Sequence, residues 1–326
     1  MSFCSCETGQ QNLGVLGCYD AFESVKKHIR VNTFDSAGNR NSIKLSDLEN
    51  GKLTDSYILE RLMGVVPGSN PVEYDESTKW YITPRTYENV EPSRTDSTYE
   101  DFSSGARQLI DTGVKAFQGI IPKTAGVIAQ KMNSGACASI GNFEIDVNGS
   151  IKGEMSIDGS ELYPIAVAQG SFEAIEIDPV EGSAVQRIQI TFQYAKTVNE
   201  GQLRIISSDD IDVSLLSING ALTGDLTLTG TVTSTDFSVV FGIDSFGKFG
   251  VVIPIEGQVE PTDWVIVDSA LSTANPTTVT ESIPGQYDST FGSALASGAA
   301  NVSFVGVPDS ATDQAYDSNV LSVTIP

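Results

Sequence analysis

Histidine is almost missing from this sequence: His28 is the only one in 326 residues. A Ser-His-Asp or Cys-His relay would have to run through that imidazole. It sits in an alternating stretch beside Lys26, Lys27 and Arg30, where a surface strand residue is the simpler reading. No G-x-S-x-G elbow, no G-x-x-x-x-G-K-[ST] loop and no dinucleotide fingerprint occurs between a strand and a helix. Basic residues are also few, 19 Lys and Arg against 42 Asp and Glu, for a formal net charge of −23. A field of that sign opposes nonspecific binding to DNA or anionic membranes. Long apolar runs are lacking as well. Stretches such as Val251-Val252-Ile253 fall far short of the roughly 20 residues that span a bilayer. No basic start followed by an apolar run opens the chain, so a soluble protein without a secretory signal is expected.

Cysteine is sparse too: Cys4, Cys6, Cys18 and Cys137. The C-x-C pair is too close for an easy mutual disulfide, and a reducing cytosol keeps such thiols free. Three thiolates and His28 would complete a tetrahedral zinc set. Structural zinc knuckles, however, space their ligands C-x2-C to C-x4-C, and this sequence does not. Free or partly buried thiols are the expectation, and no metal is assigned.

Acids are plentiful, and pairs such as Asp209-Asp210 arise by chance in any acidic chain, so they lend glycosidase chemistry no support. Asp35–Asn39 and Asp146–Gly149 look superficially like calcium loops, but neither has the Glu at position 12 that completes one, and hairpin turns explain both. The expectation is a protein without catalytic residues and without a cofactor.

What the chain does contain is period-two alternation. Lys27–Phe34 alternates over Ile29, Val31 and Thr33, then Asp35-Ser36-Ala37-Gly38-Asn39 signals a turn, and Ser42–Leu45 follows. That pattern predicts a hairpin. Phe143–Val147, Asn148-Gly149 and Ser150-Ile151 predict a second, with Asn-Gly supplying a two-residue turn. Val185–Tyr194 is the longest alternating stretch and puts Ile188, Ile190, Phe192 and Tyr194 on one face. Helical signals are two and short. Thr54 is placed to cap Asp55–Met63, where Ile58, Leu59 and Leu62 share a face and Gly64 stands at the C-cap. Thr124 is placed to cap Ala125–Asn133, with Val127, Ile128 and Met132 as its apolar stripe.

Charge and pattern change along the chain. Residues 1–131 carry 14 bases and 17 acids, whereas residues 132–326 carry 5 and 25. From about Gly250 short strands follow closely: Val251–Ile255, Trp264–Val267, Thr277–Glu281, Ala300–Val305 and Val320–Ile325. Strands of that spacing with one tryptophan predict an immunoglobulin-like sandwich. The expected division is 1–247 and 248–326, broken at Gly247-Lys248-Phe249-Gly250. Leu215–Leu228 reads as an extended loop or an edge strand given to a neighbour.

Several segments in order carry a resemblance. They are Lys79-Trp80-Tyr81, Tyr87–Asp96, Tyr99–Gly105, Thr112–Gly119, the run Leu162-Tyr163-Pro164-Ile165, Val185–Tyr194 and Leu203-Arg204. Over roughly residues 20–210 the chain resembles structural proteins of tailed bacteriophages infecting Bacteroidetes hosts, of the tail-tube type. The resemblance implies a mainly β (α+β) fold: a tail-tube-like β-barrel or sandwich with two short helices, carrying the immunoglobulin-like sandwich at its C-terminus. It also implies a virion protein assembled in the host cytoplasm, forming stacked, usually hexameric rings. Its partners would be its own copies and other tail proteins, with no membrane, and DNA would pass through without specific binding. In that setting the acids alternating with Phe143, Ile145 and Val147, namely Glu144 and Asp146, are candidates to line an acidic bore. Another virion part, such as a capsid decoration or head–tail connector protein, shares this composition. A surface adhesin built of sandwich domains is a third reading.

Overall fold

The computed structural model describes residues 22–65, 74–103, 105–111, 113–124, 126–134, 138–178, 185–244, 251–306, 308 and 310–326. The four cysteines, and with them the zinc question, lie outside these residues, as does the Gly247–Gly250 break. The fold is mainly β, with two short α-helices among the described residues. No helix there is long and apolar enough to cross a membrane.

Three layers make up the first part. Its centre is an eight-stranded sheet whose main path runs Ile43–Lys44, Glu161–Tyr163, Ile151–Met155, Ile140–Asp146, Val25–Asn32 and Tyr81–Ile82. On one face Ile29, Val31, Phe143, Ile145 and Ile151 bury against helix α1, Asp55–Met63. This helix forms as its sequence predicts. Thr54 accepts the Tyr57 N–H at its start, and Gly64 ends it at φ 73°. A Cβ on Gly64 would meet the Asp75 carbonyl oxygen at 2.9 Å, so glycine is required there. The other face of the central sheet meets a four-stranded sheet ordered Glu173–Ile177, Arg187–Gln193, Lys115–Pro122 and Glu88–Arg94. Its inward row, Ile188, Ile190 and Phe192 with Phe117 and Ile121, joins Ile140, Ile165 and helix α2, Gly126–Ser134, in a second apolar cluster. Ahead of this helix the Thr124 hydroxyl donates to the Ile121 carbonyl at 2.8 Å.

The first predicted hairpin has the right turn and the wrong partner. Asp35 accepts the Asn39 N–H at 2.7 Å, yet Ile43–Lys44 pairs with Glu161–Tyr163 at the far side of the sheet. Val25–Asn32 pairs instead with Ile140–Asp146 and Tyr81–Ile82, contacts too distant in sequence for a local pattern to show. The second hairpin forms with Glu144 opposite Lys152 and Ile145 opposite Ile151. Only Gly149 takes positive φ, 90°, and the Asp146 N–H donates to the Ser150 carbonyl, so the loop has three residues.

The sandwich begins earlier than the sequence pattern suggests. Leu222–Thr229 and Asp236–Asp244 pair with each other, and Asp236–Asp244 continues the sheet through Gln286–Thr290 to Thr278–Ile283. Facing it, Thr273–Ala274, Trp264–Val267, Gly298–Gly306 and Leu321–Ile325 pair in that order. In chain order these are the A-B-E-D and C′-C-F-G sheets of an immunoglobulin-like domain, with Trp264 buried on the C strand. Strand pairing thus joins Leu222–Thr229 and Asp236–Asp244, which precede the expected 247/248 boundary, to strands that follow it. Leu215–Leu228 accordingly ends in a strand of the chain's own sandwich.

The sandwich also reaches back. Ala311 and Ala315, from the excursion before Tyr316–Ser318, are buried in the cluster around α1, and the Ala311 N–H donates to Asp55 at 2.8 Å.

Candidate functional site

Glu144 and Asp146, the acids expected on an open polar face, are instead 2% and 1% exposed, held inside the fold. The alternation in Ile140–Asp146 is real, but the second sheet covers the polar face, so every residue of the strand is buried. Glu144 accepts from Lys152 at 2.5 Å and from the Tyr194 hydroxyl. Burial pushes its carboxyl upward, but Lys152 and Lys115 outweigh burial and hold it below its usual range. Burial, and then the same carboxylate, pushes the Tyr194 phenol well above its ordinary value. Asp146 serves the turn, accepting the Asn148 and Ser150 N–H groups, each at 2.9 Å.

His28 departs from its expected surface position too. It is 3% exposed, its Nδ1 lies 3.0 Å from the Tyr87 hydroxyl, and its ring packs edge-on against Phe117 and Phe192. Burial lowers its pKa to about 4, so the imidazole is neutral at pH 7. Glu144, Lys152 and Tyr194 bind one another, whereas the His28 Nε2 has no hydrogen-bond partner among the described residues.

The outer surface offers more. Glu88–Arg94 and Lys115–Pro122 pair along the body, and the chain between them continues as Thr98–Asp101 against Arg107–Asp111. This second pair forms a two-stranded sheet of its own. Every described side chain from Thr98 to Leu109 is exposed, including Tyr99, Phe102 and Leu109. Within the ribbon Arg107 pairs with Asp101 at 3.3 Å and lies over the Tyr99 ring. Residues 96–111 contain four acids, Asp96, Glu100, Asp101 and Asp111, and one base, Arg107.

The four-stranded sheet that bears the ribbon turns Gln118, Gln189, Thr191 and Gln193 outward, with Glu91 and Glu173 on its margins in register with Gln118 and Thr191. Both edges are blunted. On one, the Asn133 carboxamide imitates a strand, donating to the Ala174 carbonyl and accepting its N–H, each at 2.8 Å. On the other stands Pro92, which has no N–H to offer, among Glu88, Glu91 and Arg94. Such devices keep sheet edges from zipping together indiscriminately.

A cleft of ≈460 Å³ opens between strand Val25–Asn32, α2 and residues 219–223. Phe172, Phe192 and Met132 form part of its walls, and its charged lining consists of Arg30, Lys79 and Lys131, with no carboxylate among the described residues. Lys79 is bound to Asp317. Arg30 donates to the Met132 carbonyl at 2.9 Å and lies over Phe172, and among the described residues no carboxylate pairs with it.

The sequence pattern does not mark the ribbon, the outer sheet face or the cleft as sites. The acidic, aromatic run Tyr99–Phe102 was the available signal for the ribbon. The cleft draws on residues from His28 to Ile243 and leaves no local trace. Compared with protein-family models and with curated proteins, the chain matches none.

Proposed function

We propose that this chain is the subunit of a phage tail tube, a structural protein whose copies close into rings, hexameric by resemblance, that stack into the conduit for DNA ejection. The observation that carries the reading is the exposed ribbon. A two-stranded ribbon is marginal alone in water, and this one displays Tyr99, Phe102 and Leu109 and pairs with no other strand among the described residues. Such a feature belongs to a subunit whose neighbours complete it. The blunted sheet edges fit the same account, because they direct association to the ribbon and to side chains rather than to main-chain zippering along the body.

In the assembled tail the outer face of the four-stranded sheet replaces Glu144 and Asp146 as the candidate bore lining. Its row of Gln and Thr between marginal Glu residues offers DNA no cationic patch apart from Arg187 at one end. Purified protein, concentrated and imaged by negative-stain microscopy, is expected to show rings and hollow tubes. Isolated single particles at every concentration would refute the reading.

A further inference from the structure

We infer that the tip of the ribbon of one copy, Tyr99–Phe102, seats in the cleft beside Arg30 of another copy. This inference rests on the assembly reading above and names the contact that would carry it.

The cleft presents a mostly buried cation with which no carboxylate among the described residues pairs. Burial lowers the Arg30 pKa from its ordinary value, a sign that the guanidinium is held away from water. Its visible partners are one carbonyl and one aromatic face. A guanidinium offers five N–H donors in a fork that suits a carboxylate. In a chain with 42 acids, a pocket whose charged lining is entirely basic is itself a departure from the average surface. The walls are aromatic and aliphatic, and the volume lies in the range of pockets that take a ligand-sized group.

The ribbon presents the complement. Tyr99 and Phe102 are exposed aromatics, and Glu100 and Asp101 stand between them. Asp101 is engaged by Arg107 within the ribbon, whereas Glu100 has no ion pair among the described residues. Aromatic side chains with an acid between them match an aromatic cleft with an arginine in it, by shape class and by charge. Donor and acceptor surfaces differ, so the contact is heterologous. Repeated from copy to copy, it closes into a ring or runs on as a stack, the two geometries a tube needs.

The test uses the full chain. With a photo-crosslinking residue in place of Phe102, irradiation of assembled protein is expected to join the tip to cleft peptides around Met132, Phe172 or Leu222 of a second copy. Glu100→Lys with Asp101→Lys, on the exposed ribbon, is expected to raise the concentration needed for assembly at least tenfold. Arg30→Glu, with a thermal melt to show that it folds, should do the same. Combining all three changes should restore assembly in part. Should the wild-type protein never assemble, the assembly reading fails and this inference with it. Assembly that proceeds unchanged in the ribbon variant, with crosslinks mapping elsewhere, overturns this inference alone. So does a small organic anion released from the cleft on denaturation while the ribbon variant assembles normally.

Discussion

His28 shows how a single side chain sets a pH response. In the unfolded chain its pKa is near 6.5, and burial among Phe117, Phe192 and Tyr87 lowers it to about 4. Between those values the unfolded chain binds a proton that the folded one refuses. Stability is therefore full above pH 6.5, falls as the pH drops toward 4, and levels off below. For one group the loss is about 3 kcal/mol. His28→Phe should remove that component, so the difference in urea midpoint between wild type and variant should shift in the variant's favour from pH 7 to pH 4. Asp263, raised by burial and Glu260 to about 6, acts in the opposite direction, but it is present in both proteins and cancels. Parallel pH profiles would show that His28 titrates normally. The sequence did show which strand holds His28, and Ile29 and Val31 do bury as their alternation predicts. What covers the opposite face is not legible, because Tyr87, Phe117 and Phe192 lie 59 or more positions away in sequence. For Glu144 the covering Tyr194 likewise comes from another strand, 50 positions on.

At the level of elements, local signals served well where the partner is close in sequence. Helix α1 with both caps, the hairpin at Gly149 and the inward row of Arg187–Gln193 follow from propensity, turn chemistry and periodicity. Pairing over long separations did not follow. The start of the sandwich is the clearest case, since Leu222–Thr229 reads as a loop or an edge strand given to a neighbour until Asp236–Asp244 and Tyr316–Ser318 flank it. A chain ended at residue 247 would keep those first two sandwich strands without the sheet that covers Leu226, Phe237, Val239 and Phe241. It is expected to aggregate. A chain ended at residue 221 should stay soluble with native-like circular dichroism. Its melting temperature should be lower, because Ala311 and Ala315 no longer fill the cluster around α1. A well-behaved 1–247 chain, as soluble as the full protein, would contradict this division.

For the whole molecule, the net charge of −23 gathers toward the C-terminal side, where 25 of the 42 acids follow residue 131. Copies of such a chain repel at a distance, so any assembly depends on specific short-range contacts. The ribbon is the feature best suited to supply them. Sedimentation velocity over a range of protein concentrations, run on the full chain and on a variant with residues 96–111 replaced by a short glycine-rich turn, tests that claim most directly. The expected result is large species that grow with concentration for the full chain, and a single subunit-sized boundary for the ribbonless variant. A subunit-sized boundary for both proteins at every concentration, or identical large species for both, would contradict it.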